Sequence, residues 1–460
     1  MIQGILIYKD IKFDFILEED NLRLIPKNGY EDKFQKTFRK VLSNGAYTDK
    51  DNKLEEKYLV GQRLENYQRI IMIPESNNIM TYFFSDMLSI KIQYVIYLNS
   101  QEPISRMSIY CKELNGIYDI RKAIEKNNFN NNGEAEIKLK ASDKTQTDNF
   151  RFVIENKEIE CHLNISRTLY CKITEYPVKI RSTITLNFEP TQDYSILADL
   201  YNVIKKFIQY LCYRKNIKIE DVNIYTTDEN KKYRQIGIFE IINDETIQEE
   251  DKILENRFIS YEYIKQYESN ILQSIVDESL YMRHIPMTYK EGRIENEATF
   301  ILTTAAFEWE FKKLFKSGIA HSQKTMKAKE KSTNEIENLI KKSKGKEKKI
   351  YKNLLKFISL EGFAENLEYT CNSLNEIIYP FGKRLYELNN EELNYKKMGE
   401  RLSQQRNHFA HGDLDKEFIG LALLDLIFLK EIVYAMQMKR FEIPNENIKR
   451  SLNKLFNAGI

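Results

Sequence analysis

The feature that most limits what this chain can fold into is a change in the period of its apolar residues near position 249. Before it, short β-branched and aromatic runs recur at 4–8, 22–25, 70–73, 89–97, 149–154, 180–186 and 235–241, separated by turn residues. Apolar and polar side chains alternate in several of them, as they must when successive residues of a strand point to opposite faces. Such runs predict antiparallel sheets with one solvated face, in a sandwich or a barrel rather than in βαβ units. One helix is expected among them over 193–213, where Ile196, Leu200, Ile204, Phe207 and Leu211 recur at three and four residues. It should pack on a sheet. The asparagine-rich run 127–133 reads as a loop.

After 249 the strand runs stop and helical periodicity carries on to residue 460. Four helical stretches are expected, at 261–281, 293–315, 361–388 with a break near Pro380, and 414–440. The fold class is therefore α+β, with a β-rich N-terminal domain over 1–248 and an all-α bundle over 249–460. The stretch 414–440 is apolar on nearly every side, which places it either at the centre of the bundle or between two chains. No internal repeat is visible.

Composition excludes several classes. Seventy basic side chains against sixty-eight acidic ones leave a net charge of +2 over 460 residues, so a polyanionic partner must use a local patch. Five scattered cysteines give neither a disulfide framework nor paired metal ligands, and His162 beside Cys161 and Cys171 lacks a second ligand pair at zinc spacing. No metal or cofactor is expected. No phosphate-binding glycine loop occurs. The opening residues lack a basic leader, and Asp425, Lys430 and Glu431 interrupt the greasiest stretch, so the chain reads as cytoplasmic with no membrane partner.

Chemistry concentrates in one place. Only five histidines occur, and two of them fall in Gln405-Arg406-Asn407-His408-Phe409-Ala410-His411-Gly412. Arg406 is always charged and can fork onto phosphate oxygens, Asn407 both donates and accepts, and His411 can act as a general base or acid near neutral pH. At about 100° per residue Arg406 and His411 would stand about 140° apart on an unbroken helix, whereas Asn407 and His411 share a face. Either the helix breaks at His411-Gly412, or two copies of the chain pool their residues. The plainer alternative is a polar helix end that caps carbonyls.

Arg406, Asn407 and His411 resemble the RNxxxH motif of the HEPN superfamily of helical-bundle ribonucleases. Ala410-His411-Gly412 behind a β-rich half is similar to the ApeA-type anti-phage proteins within it. The resemblance implies a metal-independent endoribonuclease, RNA as partner with tRNA one candidate, a homodimer or higher oligomer with a shared cleft, and a toxin of abortive infection. A phage protein acting at the N-terminal domain is the implied trigger. The rival expectation is a non-catalytic sensor or adaptor that binds a protein, such as one from a phage, or a nucleotide, and whose helical half only dimerises. His408 occupies a variable position of the motif and is at most a supporting residue. Glu308 and Glu310 stand among Ala305, Ala306, Phe307 and Phe311, so that either one of them faces the interior and orients Arg406 or both are solvated.

The one strongly basic stretch lies between Lys316 and Lys352, with twelve lysines against four glutamates. Lys341, Lys342, Lys344, Lys346, Lys348 and Lys349 are its candidates for holding an RNA backbone. A solvated, flexible linker would have the same composition.

Overall fold

The computed structural model describes residues 1–41, 47–49, 53–81, 86–129, 135–169, 178–229, 232–319, 323–359, 362–410 and 418–460. The chain is α+β and divides into two compact units, one of 1–255 with 268–276, the other of 256–267 with 277–460. No helix among the described residues is long and apolar enough to cross a membrane.

The first unit is built on antiparallel pairing around one long strand, Leu88–Leu98. Strands Asn21–Pro26, Ile11–Glu18, Ile2–Tyr8, Leu59–Arg63 and Arg69–Pro74 pair in that spatial order, and the last pairs again with Leu88–Leu98, which closes a six-stranded barrel. Alternation decides which side faces in. In Ile11–Glu18 the buried residues are Ile11, Phe13, Phe15 and Leu17, and the residues between them reach partly into solvent. Helix Glu31–Phe38 contributes Phe34 and Phe38 to the same apolar cluster.

Leu88–Leu98 also forks. Residues 88–91 of it pair with Asn21–Pro26, while residues 94–98 pair along the same edge with Tyr233–Ile241. From that fork a second, open sheet continues through Asp221–Thr227, Ile104–Tyr110, Val178–Thr191 and Lys157–Leu169 to the edge strand Phe150–Ile154. The expected long helix forms as Ser195–Cys212. It packs on this sheet through Tyr201, whose ring lies 5.6 Å from that of Tyr94 and 5.4 Å from that of Phe239. The asparagine-rich run is not simply a loop: Asn127 to Phe129 belong to strand Ile124–Phe129, paired with Ala135–Leu139, and 130–133 lie outside the described residues.

The expected helix over 261–281 is two short ones, Tyr261–Ile264 and Glu268–Val276, parted by Gln266 at φ 76°. The second joins the first unit, because its side chains complete the bare edge of Phe150–Ile154. Ser269 Oγ and Gln273 Oε1 accept from the backbone N–H groups of Arg151 and Val153 at 3.0 and 2.9 Å, and Gln273 Nε2 donates to the Val153 carbonyl at 3.2 Å. An edge strand left bare would invite pairing with another chain. The division between the units thus falls after residue 255 rather than after 248.

The second unit is a bundle around Ala422–Arg440, which has 14 buried residues among its 19. Helices Glu297–Leu314, Asn375–Glu387, Tyr395–Ala410 and Asn445–Phe456 all pack on it. Most of its apolar surface is therefore covered inside one chain, with Leu423 left exposed. Three buried ion pairs lock its register: Asp425 with Arg401, Lys430 with Glu295, and Arg440 with Glu310. Gly382 lets the neighbouring helix approach, since a Cβ there would sit 2.5 Å from the Phe428 ring. The break expected near Pro380 occurs earlier, at Leu374, between Phe363–Ser373 and Asn375–Glu387. Pro380 then stands in the second turn of a restarted helix, where it forfeits one bond to the exposed Glu376, whose carbonyl water can satisfy.

Candidate active site

Arg406 and Asn407 lie in the last turns of helix Tyr395–Ala410. Met398, Leu402, Gln405 and Phe409, spaced four, three and four residues apart, are all buried and seat the helix on the bundle. Gly399 brings the backbones close, because a Cβ there would lie 2.8 Å from the carbonyl oxygen of Ala364. Arg401 fixes the helix against Ala422–Arg440. Its Nε and Nη2 each donate to Asp425 at 2.7 Å, and the Tyr386 hydroxyl donates to the same carboxylate. Burial raises the pKa of Asp425, against the hydrogen bonds from Arg401 and Tyr386, which favour its charged form.

Arg406 follows Gln405 by one residue and so sits at the rim of the buried face, with its side chain 39% exposed. Its guanidinium is held on two sides. Nη1 and Nη2 donate to the two carboxylate oxygens of Glu308 at 2.6 and 2.8 Å, and Cζ lies 5.6 Å from the centre of the Phe363 ring. Phe363 in turn packs edge-on against Phe307 at 5.2 Å. Among the described residues, two of the five guanidinium N–H groups are thereby used, and three remain to meet an anionic oxygen.

The two acids proposed as supports do different things. Glu308 orients Arg406. Glu310 does not reach the motif: it is fully buried, accepting from the backbone N–H of Tyr281 at 3.2 Å, Gln437 Nε2 at 3.2 Å and Arg440 Nε at 3.0 Å. Two residues along a helix is about 200° of rotation, so one acid faces the rim when the other faces the core. Burial raises the pKa of Glu310, and Arg440 counters it.

Asn407 is exposed and His408 is half-buried. His411 lies outside the described residues, as do the side chains of 410–417, and the described helix runs to Ala410. Both flanks of 411–417 are anchored at one point. Phe409 and Phe418 meet edge-on at 5.7 Å, each contacts Phe300, and Gln405 Oε1 accepts from the backbone N–H of Ile419 at 2.9 Å. Residues 409, 418 and 419 thus meet beside the turn that carries Arg406.

The basic stretch is helical rather than a linker. Gln323–Lys342 and Gly345–Ser359 pack on each other as a hairpin, with Gly345 at φ 60° in the reversal. Lys341, Lys342, Lys344, Lys346, Lys348 and Lys349 are all exposed around its turn. Elsewhere, His162 is buried, and burial with nearby Arg106 pushes its pKa down to about 4. Cys171 lies outside the described residues, and no cluster of three or more His, Cys, Asp or Glu side chains among those described could hold a metal ion.

Sequence reasoning missed Phe363 and Gln405. Gln405 was findable, since a glutamine at a core position of a 4-3-4 apolar spacing must have a buried partner. Phe363 carried no local signal, because it meets Arg406 only through tertiary packing. Comparison with protein-family models, with curated proteins and with solved structures finds no match to this chain.

Proposed function

We propose that this chain is a metal-independent endoribonuclease of the HEPN type. The observation that carries the reading is Arg406: a partly exposed guanidinium, steered by Glu308 and Phe363, on a helix whose end is anchored at both sides of the segment bearing His411. A cation locked in direction before substrate arrives is what stabilising a developing oxyanion requires. His411 takes the proton from a ribose 2′-hydroxyl, and the 2′-oxygen attacks the adjacent phosphorus. Arg406 neutralises charge on the phosphorane oxygens, and Asn407 holds the phosphate or the imidazole. The P–O5′ bond breaks and the 5′-oxygen takes up the proton that His411 accepted, giving a 2′,3′-cyclic phosphate and a 5′-hydroxyl. DNA, lacking the nucleophile, survives. The setting that fits the resemblance is anti-phage defence, with the β-rich unit responding to a phage protein.

Purified protein incubated with total RNA tests this. Cleavage should persist in EDTA and yield cyclic-phosphate ends, and Arg406→Ala or His411→Ala should abolish it while leaving the melting temperature within a few degrees. Full activity of His411→Ala would overturn the assignment, and loss of cleavage in EDTA would replace the mechanism with a metal-assisted one. Intact RNA under every condition would favour the sensor or adaptor role.

A further inference from the structure

Helix Gln323–Lys342 has no buried residue, although it is 20 residues long. Ile336, Leu339 and Ile340 gather on one side, toward Gly345–Ser359, although Leu339 and, nearer the start, Met326 stay exposed. The opposite side is more ordered than a solvated face needs to be. Lys324, Lys327, Lys331, Asn334, Asn338 and Lys341 follow one another at steps of three, four, three, four and three residues, and all six are exposed. At about 100° per residue they fall within about 100° of arc, and they run roughly 26 Å along the helix. Every member of the stripe can donate a hydrogen bond, four carry positive charge, and no acid interrupts it. Glu330 and Glu335 only flank it, and the pair of Lys331 Nζ with Glu335 at 4.0 Å is between exposed groups and so weak.

We propose that this stripe, continuous with the lysines at the hairpin turn, is a docking face for the phosphate backbone of a single RNA strand. A row of donors at a regular rise of about 5 Å per step suits a linear polyanion better than a compact one. The stripe contains no aliphatic or aromatic side chain to enter a lipid bilayer, which disfavours a membrane. The choice of RNA over other polyanions rests on the ribonuclease reading above.

The test uses the full chain and a labelled single-stranded RNA methylated at every 2′-oxygen, which binds but cannot be cut by 2′-attack. Binding is followed by fluorescence anisotropy from about 50 to 200 mM salt, the range over which phosphate contacts lose affinity steeply. Changing Lys324, Lys327, Lys331 and Lys341 together to Gln should reduce the slope of log K against log salt by about 0.7 for each phosphate released, nearly 3 for the four lysines. The matching Lys→Arg variant should keep the slope, and circular dichroism should show both folded, since these side chains are exposed. An unchanged slope and affinity in the Gln variant overturns the proposal. So does stripe-dependent binding to phosphatidylserine vesicles without RNA binding. RNA that binds through the stripe but is never cut would leave the docking face standing and remove the nuclease, whereas cutting at unaltered KM by the Gln variant would remove the docking face alone.

Discussion

Glu308 and Glu310 stand two residues apart, and their surroundings set opposite consequences for losing them. Removing the Glu310 carboxylate takes the counter-charge from the Arg440 guanidinium and the acceptor from the Tyr281 N–H, leaving Arg440, among the described residues, only its long bond to the Ser279 carbonyl and Gln437 its bond to the Tyr281 carbonyl, so Glu310→Ala should cost about 3–5 kcal/mol and be visible as a large fall in melting temperature. Glu308→Gln breaks a partly exposed pair and should cost no more than about 1 kcal/mol, yet lower the cleavage rate by releasing the direction of Arg406. Equal stability losses in the two variants would show that they share one role. Glu431 gives a pH signature. Burial pushes its carboxyl up to about 8, and its Oε2 meets no partner among the described residues. A folded pKa above the ordinary 4.5 means that the native state holds the proton longer than the unfolded chain. That contribution is full below about 4.5 and is lost as pH rises toward 8. Glu431→Gln, which cannot ionise, should flatten the decline, so that the variant gains stability relative to the parent as pH rises toward 8. Parallel melting curves against pH for the two proteins would refute this.

Helix Tyr395–Ala410 was absent from the expected helices although it carries Arg406 and Asn407. Its polar composition hides a narrow apolar seam, and the seam includes a glutamine, so periodicity alone undercounts it. Two substitutions probe how it is seated. Gly399→Ala places a methyl carbon 2.8 Å from the Ala364 carbonyl oxygen and 3.0 Å from its Cα, which should force the helices apart at a cost of about 1–3 kcal/mol and reduce cleavage with it. Gln405→Leu keeps the volume but leaves the Ile419 N–H without its acceptor, a loss of about 1–3 kcal/mol. Hydrogen exchange at the Ile419 amide should accelerate in that variant, and an unchanged rate would mean that the flank of 411–417 is fixed by other contacts.

For the whole molecule, the open question of chemistry is whether one chain suffices. The sequence spacing of Arg406 and His411 motivates sharing, while the largely covered surface of Ala422–Arg440 does not. The expected active form is a homodimer packed near 406–440. Sedimentation should show a species heavier than the 54.8 kDa chain across the concentrations at which RNA is cut, and mixing Arg406→Ala with His411→Ala protein should restore part of the activity. A fully active species at monomer mass would confine the site to one chain.

Periodicity was enough to separate the strands from the helices, because period two and period 3.6 are local properties that any buried face imprints on its own segment. It located Ser195–Cys212 nearly to the residue, and histidine scarcity pointed to 405–412. Barrel closure was not local: Leu88–Leu98 splits its pairing between Asn21–Pro26 and Tyr233–Ile241, partners separated by some two hundred residues, and no run of sequence records which strands meet. The same holds at the site. That Glu308 rather than Glu310 steers Arg406 depended on the rotation of one helix against another 98 residues away, which is fixed only when the core closes around Asp425, Lys430 and Arg440.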